Sequence, residues 1–105
     1  MTTRRRPMER IGDLLPETAR RLGLEDELRL VRAAGTWAAI VAEHVPAATG
    51  ATRLQRLERG VLLVDADSPI VAQELRMRTT ELLAAFRAAP GGLPASELAV
   101  RVRAP

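Results

Sequence analysis

Of the histidine and the 13 acidic side chains in this 105-residue sequence, three are placed where acid–base or metal chemistry could be considered: His44, Asp65 and Asp67. A histidine acts as general base only when its partners lie within hydrogen-bond reach. His44 follows Glu43 near the end of a helical pattern, and spacing assigns it no serine or cysteine nucleophile. It therefore reads as a structural or surface histidine. Asp65 and Asp67 stand two apart, which sets two carboxylates on one strand face if the strand runs that far, a donor pair that would suit magnesium. Asp67 belongs more naturally to the turn that caps the next helix. A catalytic function rests on these three residues alone, and the chain is expected to have no catalytic centre, metal site or cofactor.

Other chemistries are excluded by what is absent. With no cysteine, disulfide frameworks, thiolate metal sites and thiol nucleophiles are ruled out, and a reduced cytosolic home is permitted. "PGGLP" (90–94) follows a helical pattern and lacks phosphate-loop or dinucleotide spacing, so it is a turn. The N-terminus has no apolar run of signal-peptide length, and no stretch reaches the ~18 apolar residues of a membrane span. The chain is expected to be soluble and cytoplasmic, with no membrane partner.

What remains is arginine. All 16 basic residues are Arg, against 13 acidic ones, so the net charge of +3 is modest. Guanidinium groups bind phosphate and carboxylate bidentately and stack on bases. Trp37 and Phe86 are the only aromatics, so base stacking of the kind single-strand binders use is poorly supplied. Trp37, on an apolar helical stripe, reads as a core residue.

These side chains must be positioned by a small set of elements. Hydrophobic residues at 47% and one-domain length indicate a single folded domain over 8–105, preceded by a basic tail over 1–7 that carries Arg4, Arg5 and Arg6. Met8 to Leu22 has helical spacing, with Pro16 set to break or kink it and Gly23 as a C-cap. A second helix runs from about Glu25 to Glu43, with Leu30, Ala34, Trp37 and Val41 on one stripe. "TRLQRL" and "VLLVDA" form two antiparallel strands about Glu58, Arg59 and Gly60. The second strand sets Leu62, Val64 and Ala66 against Val61, Leu63 and Asp65. Ser68 and Pro69 open a third helix reaching about Ala89, with Val71, Ala72, Leu75, Thr79, Leu82 and Phe86 turned inward. "ELAVRVR" is the last strand, alternating Leu98, Val100 and Val102 against Ala99, Arg101 and Arg103. The fold class is α+β, a small three-stranded sheet packed by helices in the order ααββαβ.

From Trp37 to Arg103 the sequence resembles the DciA family, bacterial proteins of the replicative helicase loading step. The resemblance rests on Trp37 with "AAIVAEHVP", on "RGVLLVDADSPIVAQEL" (59–75), on the helix with Leu82 and Leu83, and on "LAVRVR". It departs from the family at Ile70, where an aromatic, usually Trp, is common early in the third helix. A partner contact built on that ring is in question here.

The resemblance implies a fold similar to type II KH domains, though without the G-x-x-G that grips a nucleotide backbone. It also implies a non-enzymatic adaptor that binds the DnaB-type replicative helicase and assists its placement on DNA. DNA contact, single- or double-stranded, would then be electrostatic and non-specific. Its candidate residues are Arg53 and Arg56 on the first strand, Arg76 and Arg87 on the third helix, and Arg101 and Arg103 on the last strand. The alternative is an RNA- or ribosome-associated KH-like binding module. The helicase-binding surface and the oligomeric state have no sequence signal.

Overall fold

The computed structural model describes the backbone of residues 7–90 and 93–103, and the side chains of 21–90 and 93–103. The basic run Arg4 to Arg6 lies outside the described residues. The elements, in order, are helix α1 (Pro7–His44), a 3-10 turn at Pro46–Ala48, strands β1 (Thr52–Glu58) and β2 (Val61–Ala66), helices α2 (Pro69–Met77) and α3 (Thr79–Ala88), and strand β3 (Glu97–Val102). The fold is α+β, with three α-helices and one three-stranded mixed sheet ordered β1-β2-β3 among the described residues. Among the described residues no helix is long and apolar enough to cross a membrane.

The helices divide differently from the sequence expectation. The first two are one: α1 runs through both Pro16 and Gly23. Gly23 ends no helix because its backbone keeps a helical sign, and positive φ among the described glycines is confined to Gly50 and Gly60. Its neighbours are Arg, Leu and Glu, residues whose helix propensity outweighs the ~1 kcal/mol that one glycine costs. The helix expected from Pro69 to Ala89 is two, separated at Arg78, whose φ of −114° and ψ of 22° leave the helical region. There the Thr79 hydroxyl donates to the Arg76 carbonyl at 2.9 Å. The observed succession β2-α2-α3-β3, with β2 and β3 parallel, is compatible with a KH-like fold.

The strands form as their alternation requires. Leu62, Val64 and Ala66 are each 0% exposed, whereas Val61, Leu63 and Asp65 are half-buried. The β1–β2 connection is the two-residue turn Arg59–Gly60, with φ of 53° and 78°. Positive φ at both positions suits the twist of a hairpin, and glycine adopts it freely while arginine does so at a cost. β3 pairs with β2 in parallel register, Leu62 beside Leu98 and Val64 beside Val100.

All three helices pack on the sheet. The core between the layers holds Trp37 and Val41 from α1, Leu62 and Val64 from β2, Leu75 from α2, and Leu82 and Phe86 from α3. Trp37 is 1% exposed, and its indole N–H donates to the Thr52 hydroxyl at 3.0 Å, which ties α1 to the start of β1. Ser68 caps α2 by accepting from the Val71 amide at 3.3 Å, with Pro69 in the first turn.

Candidate nucleic-acid interface

Because the helices cover the Leu62 side of the sheet, the Val61 side is left as a second surface. Cross-strand partners share a face, so the register defines what stands there. Arg53 is opposite Asp65, Arg56 opposite Leu63 and Glu58 opposite Val61. On the other side of β2, Arg101 is beside Asp65, Ala99 beside Leu63 and Glu97 beside Val61. The surface is thus an apolar centre of Val61, Leu63 and Ala99, flanked by Arg53 and Arg56 on one strand and Arg101 on the other. Arg56, Glu58, Arg59, Val61 and Leu63 line a shallow depression of about 520 Å³ at its hairpin end.

Arg53 and Arg56 are three residues apart, which simple alternation would send to opposite faces. A β-bulge between Leu54 and Arg56 absorbs Gln55 and returns both arginines to one face. The same shift keeps Leu54 and Leu57 together on the core side.

Asp65 lies between the two basic strands with only 13% of its side chain exposed. Arg101 donates to it through Nε at 2.6 Å, leaving the outer guanidinium nitrogens without a role in that bond. A carboxylate so placed orients a guanidinium more than it stabilises the fold, since such partly exposed pairs contribute at most ~1 kcal/mol. Arg56 is 3.6 Å from Glu58, and both side chains are about two-thirds exposed. Arg103 follows β3; its amide donates to the Ala66 carbonyl, and its side chain is exposed.

The remaining two candidates stand apart from this face. Arg76, on α2, donates through Nη2 to the Val100 carbonyl at 2.7 Å. The amides of Glu97 and Arg103 point toward β2, so alternation turns the Val100 carbonyl to the outer edge of the sheet, where Arg76 blocks it from pairing with another strand. Arg87, on α3, donates through Nη1 to the Ala95 carbonyl at 2.6 Å and fixes the segment leading into β3. Both retain exposed guanidinium surface, but both brace the β3 side of the fold.

His44 and the aspartates find structural partners. His44 Nδ1 is 2.7 Å from Glu81 Oε2, joining the end of α1 to the first turn of α3. Asp67 lies beyond the end of β2, is exposed, and donates its amide to the Ala51 carbonyl. Asp65 is engaged by Arg101. Among the described residues, no cluster of three or more histidine or acidic side chains could hold a metal ion.

Two further arginines, one beside this surface and one on the helix layer, stand outside the set expected from sequence. Arg59 borders the depression because the hairpin turn presents it. Arg78 occupies the α2–α3 junction, 3.0 Å from Glu74 and 3.7 Å from Glu81. Ile70, in the first turn of α2, is 81% exposed.

The family comparison bears on what such a surface is for. Residues 10–100 match the family described as Dna[CI] antecedent, DciA. The chain belongs to the DciA family. That membership spans the long helix, the sheet and both shorter helices, and ties the protein to DnaB helicase loading in replication. DciA is a family of loader-type adaptors, not of enzymes. No curated protein matches the chain.

Proposed function

We propose that this DciA protein binds the DnaB-type replicative helicase and assists its loading, holding DNA weakly and without sequence preference on the open face of its sheet. The observation that carries the DNA part is the set of arginines brought to one helix-free face from two strands, Arg53 and Arg56 with Arg101. Arg103 extends the set at the end of β3. Guanidinium groups on an extended surface meet phosphates along a backbone, and such contacts position nucleic acid without reading bases. Glu58, Asp65 and Glu97 temper the charge, which fits a transient grip that must release DNA to the helicase. Arg76 and Arg87 contribute at the periphery, their guanidinium groups tethered to carbonyls of the β3 side.

The alternative as an RNA-binding KH-like module gains no support from the helix junction. A KH domain clamps four nucleotides with a G-x-x-G loop between its helices. In this chain Met77, Arg78 and Thr79 stand there, and the Arg78 guanidinium is engaged by Glu74 and Glu81.

The test is reconstitution with the replicative helicase of the same organism. Adding the protein should produce a helicase complex and raise the amount of helicase loaded on single-stranded DNA, read as unwinding of a labelled fork. A protein that neither associates with the helicase nor alters loading contradicts the proposal. Binding structured RNA more tightly than DNA or helicase would favour the alternative.

A further inference from the structure

Helix α1 carries two apolar stripes. One, with Ala33, Trp37, Ile40 and Val41, is buried in the core. The other consists of Leu24, Leu28, Val31, Gly35, Ala38 and Ala42, spaced alternately four and three apart, and all six are exposed. Val31 is 66% exposed, Leu24 57% and Leu28 53%. At about 100° per residue this second stripe lies on the side of α1 away from the core. A Cβ built on Gly35 would meet nothing within 4 Å. Strict 3.5-residue spacing is the seam of a helix that packs against another helix of similar period. The other two helices are short and pack on the sheet, so nothing among the described residues covers it.

We propose that a second copy of this chain covers the seam, the two α1 helices lying antiparallel about a two-fold axis near Arg29 and Leu30. Run backwards against itself, the stripe matches its own sizes. Leu28 meets Val31 of the second copy, Leu24 fills the space beside Gly35, and the aliphatic stem of Arg21 lies over Ala38. The flanking charges match too, because Glu25 falls beside Arg32 of the second copy, and symmetry makes that pair twice. A parallel arrangement would set Gly35 on Gly35 and leave a void, and would bring Arg21 onto Arg21. The antiparallel overlap from Arg21 to Ala38 is roughly 27 Å long at 1.5 Å per residue.

The surroundings leave room for such a neighbour. Alongside the seam runs a groove of about 500 Å³ lined by Leu28, Arg32, Thr36, Phe86 and Leu93. It is followed by one of about 600 Å³ where Gly35 and Ala39 face Ala85 and Ala88. Small side chains on both walls let a helix backbone approach closely. The open sheet face, with its arginines, takes no part in this contact, so each dimer would present two such faces.

Sedimentation velocity of the full chain over a range of concentrations should show a monomer–dimer equilibrium. Val31→Glu, at an exposed position, should leave the helical circular dichroism intact and give monomer only. Glu25→Arg and Arg32→Glu should each weaken dimerisation several-fold, and the two together should restore it, because like charges replaced as a pair become opposite again. The chain has no cysteine, so a mixture of Leu24→Cys and Gly35→Cys chains should form a mixed disulfide on oxidation, while Leu24→Cys alone should not. A monomer at every concentration overturns the inference, as does a dimer indifferent to Val31→Glu or a rapid Leu24→Cys homodimer. A monomer whose Val31→Glu variant loses helicase binding assigns the seam to the helicase and equally overturns it.

Discussion

The two faces of β2 carry six consecutive residues to opposite fates. Leu62, Val64 and Ala66 disappear beneath the helices, while Val61, Leu63 and Asp65 remain on a half-open surface rimmed with arginine. Neighbours in sequence are 3.3 Å apart along the strand, yet one set holds the fold together and the other is free to touch something else. Stability and contact are thereby separated by the pleat of a single strand, and substitutions one residue apart should have unrelated consequences.

The largest expected effect follows from that separation. Leu62→Ala should lower the unfolding free energy by about 3 kcal/mol, since it empties a fully enclosed site. Leu63→Ala, its immediate neighbour, should cost less than about 1 kcal/mol because the side chain is already partly in water. Denaturant titrations of the two variants measure the difference, and equal losses would break the comparison.

Two smaller effects probe what fastens helices to the covered face. Trp37→Phe keeps most of the buried ring but leaves the Thr52 hydroxyl without its donor, and should cost about 1 kcal/mol beyond the change in volume. Ser68→Ala removes the cap of α2, and a similar loss of about 1 kcal/mol is expected. A Thr52→Val, Trp37→Phe double variant that loses no more than Trp37→Phe alone would confirm that the first cost is the hydrogen bond.

The smallest effect is a gain. Arg59 holds φ at 53°, a conformation that asparagine or glycine adopts with less strain. Arg59→Asn should raise stability by about 0.5 kcal/mol, visible as a slightly higher Tm. A loss instead would mean that the Arg59 side chain makes contacts on the open face worth more than the strain.

Much of this architecture was readable because period-two alternation and capping rules act locally. β2, the hairpin, β3 and the Ser68 cap all follow from their own few residues. The helix divisions did not, for opposite reasons. Gly23 looks like a terminator, but termination requires a left-handed backbone that the surrounding helix formers do not yield. Arg78 interrupts a helix without disturbing its apolar phase, since Leu75 and Leu82 remain buried on either side. The arginine face was only partly visible. Arg101 and Arg103 share a side by alternation, but the bulge that reunites Arg53 with Arg56 depends on pairing between strands, and no local rule reports it. Nor does sequence reveal that Arg76 is spent on the Val100 carbonyl, a partner 24 residues away.

The central claim is that the arginines of the open face hold DNA while the covered face holds the fold. Its most direct test is the DNA affinity of Arg53→Gln, Arg56→Gln together, measured across a salt series alongside thermal unfolding. The account predicts an unchanged Tm, about tenfold weaker binding at low salt, and a shallower dependence of log affinity on log salt by up to ~2. Unaltered affinity and slope in a folded variant would contradict it.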